Sequence, residues 1–166
     1  MTEPITVSHL FGEICWLFTQ SPIHKRLPIA TLEAVVMPAL LHEQVYVSRD
    51  GDKPVGAILW AYCSQDAEKK LEKGLLGGDQ RFTDADWKSG DRLWLVDLVA
   101  PFATDQNRHK ELMLSDLIAG PLRDKAFRFH KTELPSGKRT VVDVPANAAD
   151  LIAAELKAAG VVTSGS

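Results

Sequence analysis

The sequence predicts an α+β (α/β-class) protein, a mixed β-sheet flanked by helices in the element order ααββαβαββα. Three observations carry this expectation. Val7, Leu10, Phe11, Ile14, Leu17 and Phe18 recur at helical spacing. Val45-Tyr46-Val47 and Val55 to Tyr62 are β-rich runs on either side of the turn-forming Asp50-Gly51-Asp52. Leu93 to Val99 is apolar on both alternating faces, as a strand covered on both sides must be.

The first helix is expected to end before Ser21-Pro22, and Ser21 to Lys25 reads as a loop. Pro28 opens a second helix with Leu32, Val35, Val36 and Leu40 on its buried side, which Pro38 should bend or end. After the first hairpin a short helix over 66–73 leads into a polar, glycine-containing loop that lasts until 91. Asp105 is placed to cap a helix over Arg108–Ile118, which Gly120-Pro121 stops. Ala126–Lys131 and Arg139–Val144 flank Pro135-Ser136-Gly137 as a second hairpin, and Pro145–Ala159 reads as a last amphipathic helix closed by Gly160. With no internal repeat, low-complexity tract or linker, 1–160 is expected to be a single domain and 161–166 a frayed tail.

A chain of 166 residues can bury a sufficient core without metal or disulfide staples. Its 45% apolar and 25% charged composition is ordinary for a soluble protein. Residues 1–20 lack a basic start and an unbroken apolar run, so no secretion signal is expected. No stretch reaches the roughly 18 apolar residues of a membrane span. Cys15 and Cys63 each sit in apolar surroundings and read as buried thiols, which points to a reduced, cytoplasmic protein. Net charge is −3, yet 106–140 holds eight basic residues (Arg108, Lys110, Arg123, Lys125, Arg128, Lys131, Lys138, Arg139) against four acids. Such a stretch either steers an anionic partner or is a solvated face. Nothing favours nucleic acid, since basic residues are not interleaved with aromatics and no binding motif is present.

Asp97 stands out within Leu93-Trp94-Leu95-Val96-Asp97-Leu98-Val99, because a carboxylate among apolar neighbours needs a partner. An ion pair with a purely structural role and a catalytic role both satisfy that need. His24 follows Ser21-Pro22-Ile23 after an apolar helix and is either a packing histidine or a proton-transfer group. If the two met, the carboxylate could orient the imidazole and stabilise its protonated form. Zinc spacing, a Gly-x-Ser-x-Gly elbow, a Walker loop and a dinucleotide fingerprint are all missing, and no metal is expected. Ala103 to Arg108, after the central strand, contains no glycine for a pyrophosphate cradle, which disfavours a nucleotide-tailed donor.

Three ordered blocks resemble the RTX-toxin-activating lysine acyltransferases, the haemolysin-activating type. Trp16-Leu17-Phe18 followed by Ser21-Pro22-Ile23-His24 is similar to the family's Trp-Leu-Trp and Ser-Pro-x-His. Pro54-Val55-Gly56-Ala57-Ile58-Leu59-Trp60-Ala61 takes the place of its Pro-Val-Ala-Tyr-Cys-Ser-Trp-Ala strand. Gly90-Asp91-Arg92-Leu93-Trp94, Asp97-Leu98 and Ala100-Pro101-Phe102 are similar to its Gly-Asp-Arg-x-Trp, Asp-Trp and Ala-Pro-Phe. Phe18 and Leu98 stand where the family has Trp, and the resemblance covers about 10–130. It implies a divergent GNAT-like fold and transfer of a fatty acyl group from acyl carrier protein to internal lysines of an RTX protoxin.

On that resemblance His24 and Asp97 are the catalytic pair, with Ser21 and Arg92 in contact with substrate. No permanently bound cofactor is implied, because the acyl-carrier thioester is itself the donor. Lys25, Arg26, Arg108, Lys110, Arg123, Lys125, Arg128 and Lys131 would meet the acidic carrier protein. A homodimer is implied as well. A small-molecule N-acyltransferase using acyl-CoA and a non-catalytic chaperone of a secreted partner are the competing readings.

Overall fold

In the computed structural model, which describes residues 5–73, 82–132 and 136–151, the chain divides into two compact units, Met1–Lys110 and Glu111–Ser166. Thr6 starts α1 (Val7–Gln20): its hydroxyl accepts the His9 amide at 3.1 Å, satisfying a donor that the first helical turn leaves free. The predicted apolar stripe buries Ile14, Leu17 and Phe18, and each fully buried side chain of this kind contributes about 1.5–3 kcal/mol. Outside the stripe, Glu13 accepts both guanidinium Nη atoms of Arg49, with Nη2 at 2.7 Å from Oε1, which ties α1 to the sheet.

The second helix, α2 (Ile29–Leu41), passes through Pro38 rather than ending there. Pro38 lies in the final turn, so the helical hydrogen bond it forfeits is one of the last, and the helix closes soon afterwards. Closure follows the Schellman pattern: the Glu43 amide donates to Leu40 O and the Gln44 amide to Ala39 O, with Glu43 at φ 58°. A non-glycine residue in that region costs about 1–2 kcal/mol. The reversal delivers Gln44 into the core, where its Nε2 donates to Trp60 O at 2.9 Å and Trp87 O at 3.0 Å.

β1 (Val45–Asp50) and β2 (Lys53–Cys63) form the expected antiparallel hairpin, with Gly51 at φ 61° in the first turn position. β3 (Arg92–Val99) pairs antiparallel with β2 on its other side. α1 and α2 cover one face of this sheet, packing Ile14, Leu17, Phe18, Val36 and Ala39 with Ala57, Leu59, Ala61, Trp94 and Val99. Ile58, Trp60, Leu93 and Leu95 alternate onto the opposite face and are buried too, as the two-sided apolar pattern of β3 requires.

The described residues of the polar segment after β2 carry two short helical elements. Ser64 caps α3 (Gln65–Glu72), and a 3-10 turn spans Asp84–Trp87, where only loop was expected. Gly90 then passes against the end of β2, its amide donating to Tyr62 O, and a Cβ there would stand 2.4 Å from Cys63 O. The glycine of the Gly90-Asp91-Arg92 run is therefore required by close backbone approach.

α4 (His109–Ala119) starts at the end of the first unit, and the second unit continues with a hairpin of β4 (Phe127–Thr132) and β5 (Arg139–Val144) in register from Phe127↔Val144 to Thr132↔Arg139. Asp105 does not cap α4; Asn107 Oδ1 accepts the His109 amide at 3.0 Å and the Thr104 amide at 2.9 Å. Of the expected last helix, Ala148–Leu151 are helical, and the remainder, with the tail, lies outside the described residues. The architecture is α+β, consistent with the GNAT-like class. No helix among the described residues is long and apolar enough to cross a membrane.

Asp86 anchors the 3-10 turn. Its Oδ2 accepts from Lys70 Nζ at 2.8 Å, the Thr83 amide at 2.7 Å and the Thr83 hydroxyl at 3.0 Å. Burial works to raise this carboxyl's pKa, but the bonds from Lys70 and Thr83 outweigh it and the net shift is downward. A depressed folded-state pKa stabilises the protein above the unfolded value of about 4 and loses that contribution as pH falls through the folded value. We expect Asp86→Asn to cost about 1–3 kcal/mol at neutral pH and to flatten the acid side of the stability curve. Urea melts of both proteins between neutral pH and acid will show it; parallel curves would remove Asp86 from the acid response.

Candidate active site

Ser21 closes α1, its amide donating to Phe18 O, and its own carbonyl accepts the amides of His24 and Lys25 at 3.1 and 2.9 Å. Two amides on one carbonyl wind Ser21 to Arg26 into a tight turn and hold the side chains of Ser21 and His24 on one side of it. Ser21 Oγ lies 2.6 Å from His24 Nδ1. His24 Nε2 lies 3.0 and 2.9 Å from the two carboxylate oxygens of Asp97, 73 residues further along the chain. The Phe18 ring covers the imidazole at a centroid distance of 4.4 Å. His24 is 9% exposed and Ser21 6%, whereas the Asp97 side chain keeps 21%. The two residues that the sequence singled out as a conditional pair are in direct contact, with Ser21 as the third member.

A β-bulge brings Asp97 there. Leu59 pairs with Asp97 but Trp60 pairs with Leu95, so Val96 has no partner across the strand. Paired residues of antiparallel strands share a face, and Ala57/Val99, Leu59/Asp97 and Ala61/Trp94 all lie on the helix side. In an unbroken strand Trp94 and Asp97, three residues apart, would face opposite ways. The inserted Val96 reverses the phase, keeping Trp94 in the core while turning Asp97 toward His24. The two-sided apolar pattern of the strand concealed this, since alternation leaves no mark when both faces are apolar.

Arg92 is not brought to this centre. Its Nη1 donates to Glu68 Oε1 at 2.8 Å, and the other Glu68 oxygen accepts Trp94 Nε1 at 2.8 Å, so one carboxylate of α3 braces the start of β3. Glu68 carried no signal in the sequence. Lys25 and Arg26 are exposed on the site turn itself. Arg108 and Lys110 are exposed at the end of the first unit, with Arg108 at φ 50°. Arg123, Lys125, Arg128 and Lys131 are exposed in the second unit, where Arg128 Nε donates to Asp143 at 2.6 Å.

Neither thiol is activated: burial pushes Cys15 up, and burial with the charges of Glu68 and Asp86 pushes Cys63 up to about 12. Among the described residues no cluster of three or more His, Cys, Asp or Glu could hold a metal.

The loop after β3 bonds five of its amides internally. Ala103 N donates to Ala100 O, Arg108 N to Thr104 O and Asn107 N to Thr104 Oγ1, while Asn107 Oδ1 takes the amides of Thr104 and His109. These groups are therefore not presented to an anion.

The α+β scaffold thus holds one imidazole between a hydroxyl and a carboxylate, a hydrogen-bonded Ser21–His24–Asp97 group. The model of the RTX toxin acyltransferase family matches residues 3–146, and the chain belongs to that family, which are acyltransferases. The match extends past Lys131, where the motif resemblance stopped. The chain is 33% identical over 109 residues to the leukotoxin-activating lysine-acyltransferase LktC of a Pasteurella haemolytica-like sp. (strain 5943B), covering 66% of this chain and 61% of that protein. It is 32% identical over 134 residues to LktC serotype T3 of Mannheimia haemolytica, covering 80% and 75%. To the protein-lysine palmitoyltransferase CyaC of Bordetella bronchiseptica (strain ATCC BAA-588 / NCTC 13252 / RB50) it is 34% identical over 99 residues, covering 58% and 50%. The chain thus aligns with between half and three quarters of these relatives' own length.

Because Arg92 pairs with Glu68 at a partly exposed site, its removal should cost only ~0.5–1 kcal/mol. We expect folded Arg92→Ala protein to keep acyl-transfer kinetics within about threefold of wild type, since no step of a transition state would lose a contact. A loss of a hundredfold or more in a protein with an intact thermal melt would restore Arg92 to the substrate.

Proposed function

We propose that this chain is a protein-lysine acyltransferase that carries a fatty acyl group from acyl carrier protein to internal lysines of an RTX protoxin or related secreted protein. His24 acts as general base and Asp97 orients it. The observation that carries this reading is the His24 imidazole bonded to Asp97 on one side and Ser21 on the other, in a chain of the RTX toxin acyltransferase family. The carboxylate stabilises the imidazolium formed when the amine proton is taken. Relatives named as lysine-acyltransferases and as a protein-lysine palmitoyltransferase support the acceptor and the acyl group.

The loop after β3, which has no glycine and bonds five of its amides within itself, favours a carrier-borne pantetheine arm over a pyrophosphate-bearing donor. Acyl carrier proteins are acidic, and Lys25 and Arg26 beside His24, with Arg108, Lys110, Arg123, Lys125, Arg128 and Lys131, supply the cations such a partner requires in a chain of net charge −3. The reading treats 1–160 as one acyltransferase domain that works in the cytoplasm as a homodimer, without a permanently bound cofactor. Arg92 enters it as a brace of β3.

His24→Ala should lower acyl transfer by ~10²–10⁴-fold with the fold retained, and Asp97→Asn should follow it. Parallel incubations with labelled acyl carrier protein and acyl-CoA, with and without a protoxin fragment, provide the measurement. They also separate this reading from an acyl-CoA-dependent small-molecule N-acyltransferase and from a chaperone. Wild-type turnover in folded His24→Ala protein would remove the base. Reversing Lys25, Arg26, Arg108 and Lys110 together should slow carrier association and weaken its salt dependence, because screening acts over about 10 Å at 0.1 M salt. Unchanged affinity and salt slope would leave these cations as solubilising surface.

A further inference from the structure

The His24 imidazole has no unoccupied nitrogen. Asp97 as a carboxylate only accepts, so Nε2, 2.9 and 3.0 Å from its oxygens, must carry the ring hydrogen. In the neutral ring Nδ1 is then a lone pair, and the Ser21 hydroxyl at 2.6 Å is the group that donates to it. Phe18 lies over the ring, and the imidazole keeps 9% of its surface. An amine that approaches the lone pair of Nδ1 therefore meets the Ser21 oxygen before the nitrogen, while Nε2 is held by Asp97.

We propose that Ser21 is a catalytic residue, a proton relay whose Oγ takes the proton of the attacking lysine amine as its own proton passes to His24 Nδ1. This rests on the acyltransferase reading above. The amine lone pair forms the C–N bond at the thioester carbonyl carbon, and the nitrogen, made positive by that bond, gives one proton to Ser21 Oγ. The Ser21 proton moves to Nδ1, and the resulting imidazolium keeps its Nε2 hydrogen on Asp97. When the tetrahedral adduct collapses, the C–S bond breaks and the thiolate takes a proton back from Nδ1 through the same oxygen. Amine and thioester have become amide and thiol, and Ser21 and His24 are as they began.

The turn favours relay over nucleophilic attack by Ser21 itself. Attack would create an oxyanion beside Ser21 that needs amide donors. Pro22 has no amide hydrogen, and the amides of Ser21, His24 and Lys25 are already bonded to the Phe18 and Ser21 carbonyls, which takes four of the six positions from Ser21 to Arg26 out of an oxyanion site.

The first test needs no substrate. Nitrogen-resolved histidine NMR of the wild-type protein, at a pH where His24 is neutral, should find hydrogen on Nε2 and none on Nδ1; the opposite tautomer overturns the relay. The second compares wild type, Ser21→Ala and Ser21→Thr in transfer from acyl carrier protein to a protoxin fragment. Ser21→Ala should lose about 10²-fold in kcat, with KM within about twofold. Ser21→Thr, which keeps a hydroxyl, should recover most of that loss. Rates in mixtures of light and heavy water should curve for wild type, where two protons move together, and be linear for Ser21→Ala, a difference that a merely structural serine would not produce. Full kcat in Ser21→Ala protein, or an acyl ester on Ser21 found by mass spectrometry, overturns the relay while leaving acyl transfer standing. Absence of transfer by wild-type protein overturns the acyltransferase reading and the relay with it.

Discussion

Leu59 faces Asp97 across β2 and β3 on the helix-covered side of the sheet, and this pair exists there because β3 holds Val96 as an extra residue. A strand's side chains alternate strictly, so one inserted residue reverses every side chain beyond it. Upstream of the bulge Trp94 fills the core; downstream Val99 does, and Asp97 comes with it. The first helix pair, the turn between its helices and the carboxylate consequently share one side of the sheet. Without the bulge, a core containing Trp94 and a site containing Asp97 could not coexist on that side.

Burying a histidine and an aspartate beside Phe18 carries a desolvation cost that the hydrogen bonds must offset. A bond to a charged partner contributes about 1.5–3 kcal/mol, enough to hold the ring in one orientation but not to make the pair a major source of stability. That stability comes from apolar burial on both faces of β2 and β3, with Ile14, Leu17, Ile58 and Leu59 almost fully enclosed. The polar centre therefore sits at the edge of a core that does not need it. This permits a site whose members answer to chemistry more than to packing.

Three further polar side chains, Glu68, Asp86 and Gln44, hold other parts of the fold in place. Glu68 braces β3 through Arg92 and Trp94, Asp86 gathers Lys70 and Thr83, and Gln44 joins Trp60 to Trp87. Each satisfies backbone or side-chain groups that would be costly to bury unpaired. The Thr104 and Asn107 pair does the same for the loop after β3, taking up the amides of Thr104, Asn107 and His109.

The element types were legible because they follow from local periodicity: the α1 stripe, the hairpin across Gly51 and the β3 run depend on residues close in sequence. Asp105 was misread as a cap, since whether a carboxylate caps a helix depends on how the preceding turn closes, and here Asn107 takes the amides instead. His24 and Asp97 were visible as residue types out of place, and Ser21 by its position in the same turn. Arg92 is paired with Glu68, a partner that composition and spacing do not mark. The sequence by itself thus determined the secondary elements, the apolar faces and the identity of the anomalous polar residues, all of which are short-range properties. The contact of His24 with Asp97, the phase change at Val96 and the occupation of both imidazole nitrogens were decided by tertiary structure alone, because each depends on the register between segments tens of residues apart.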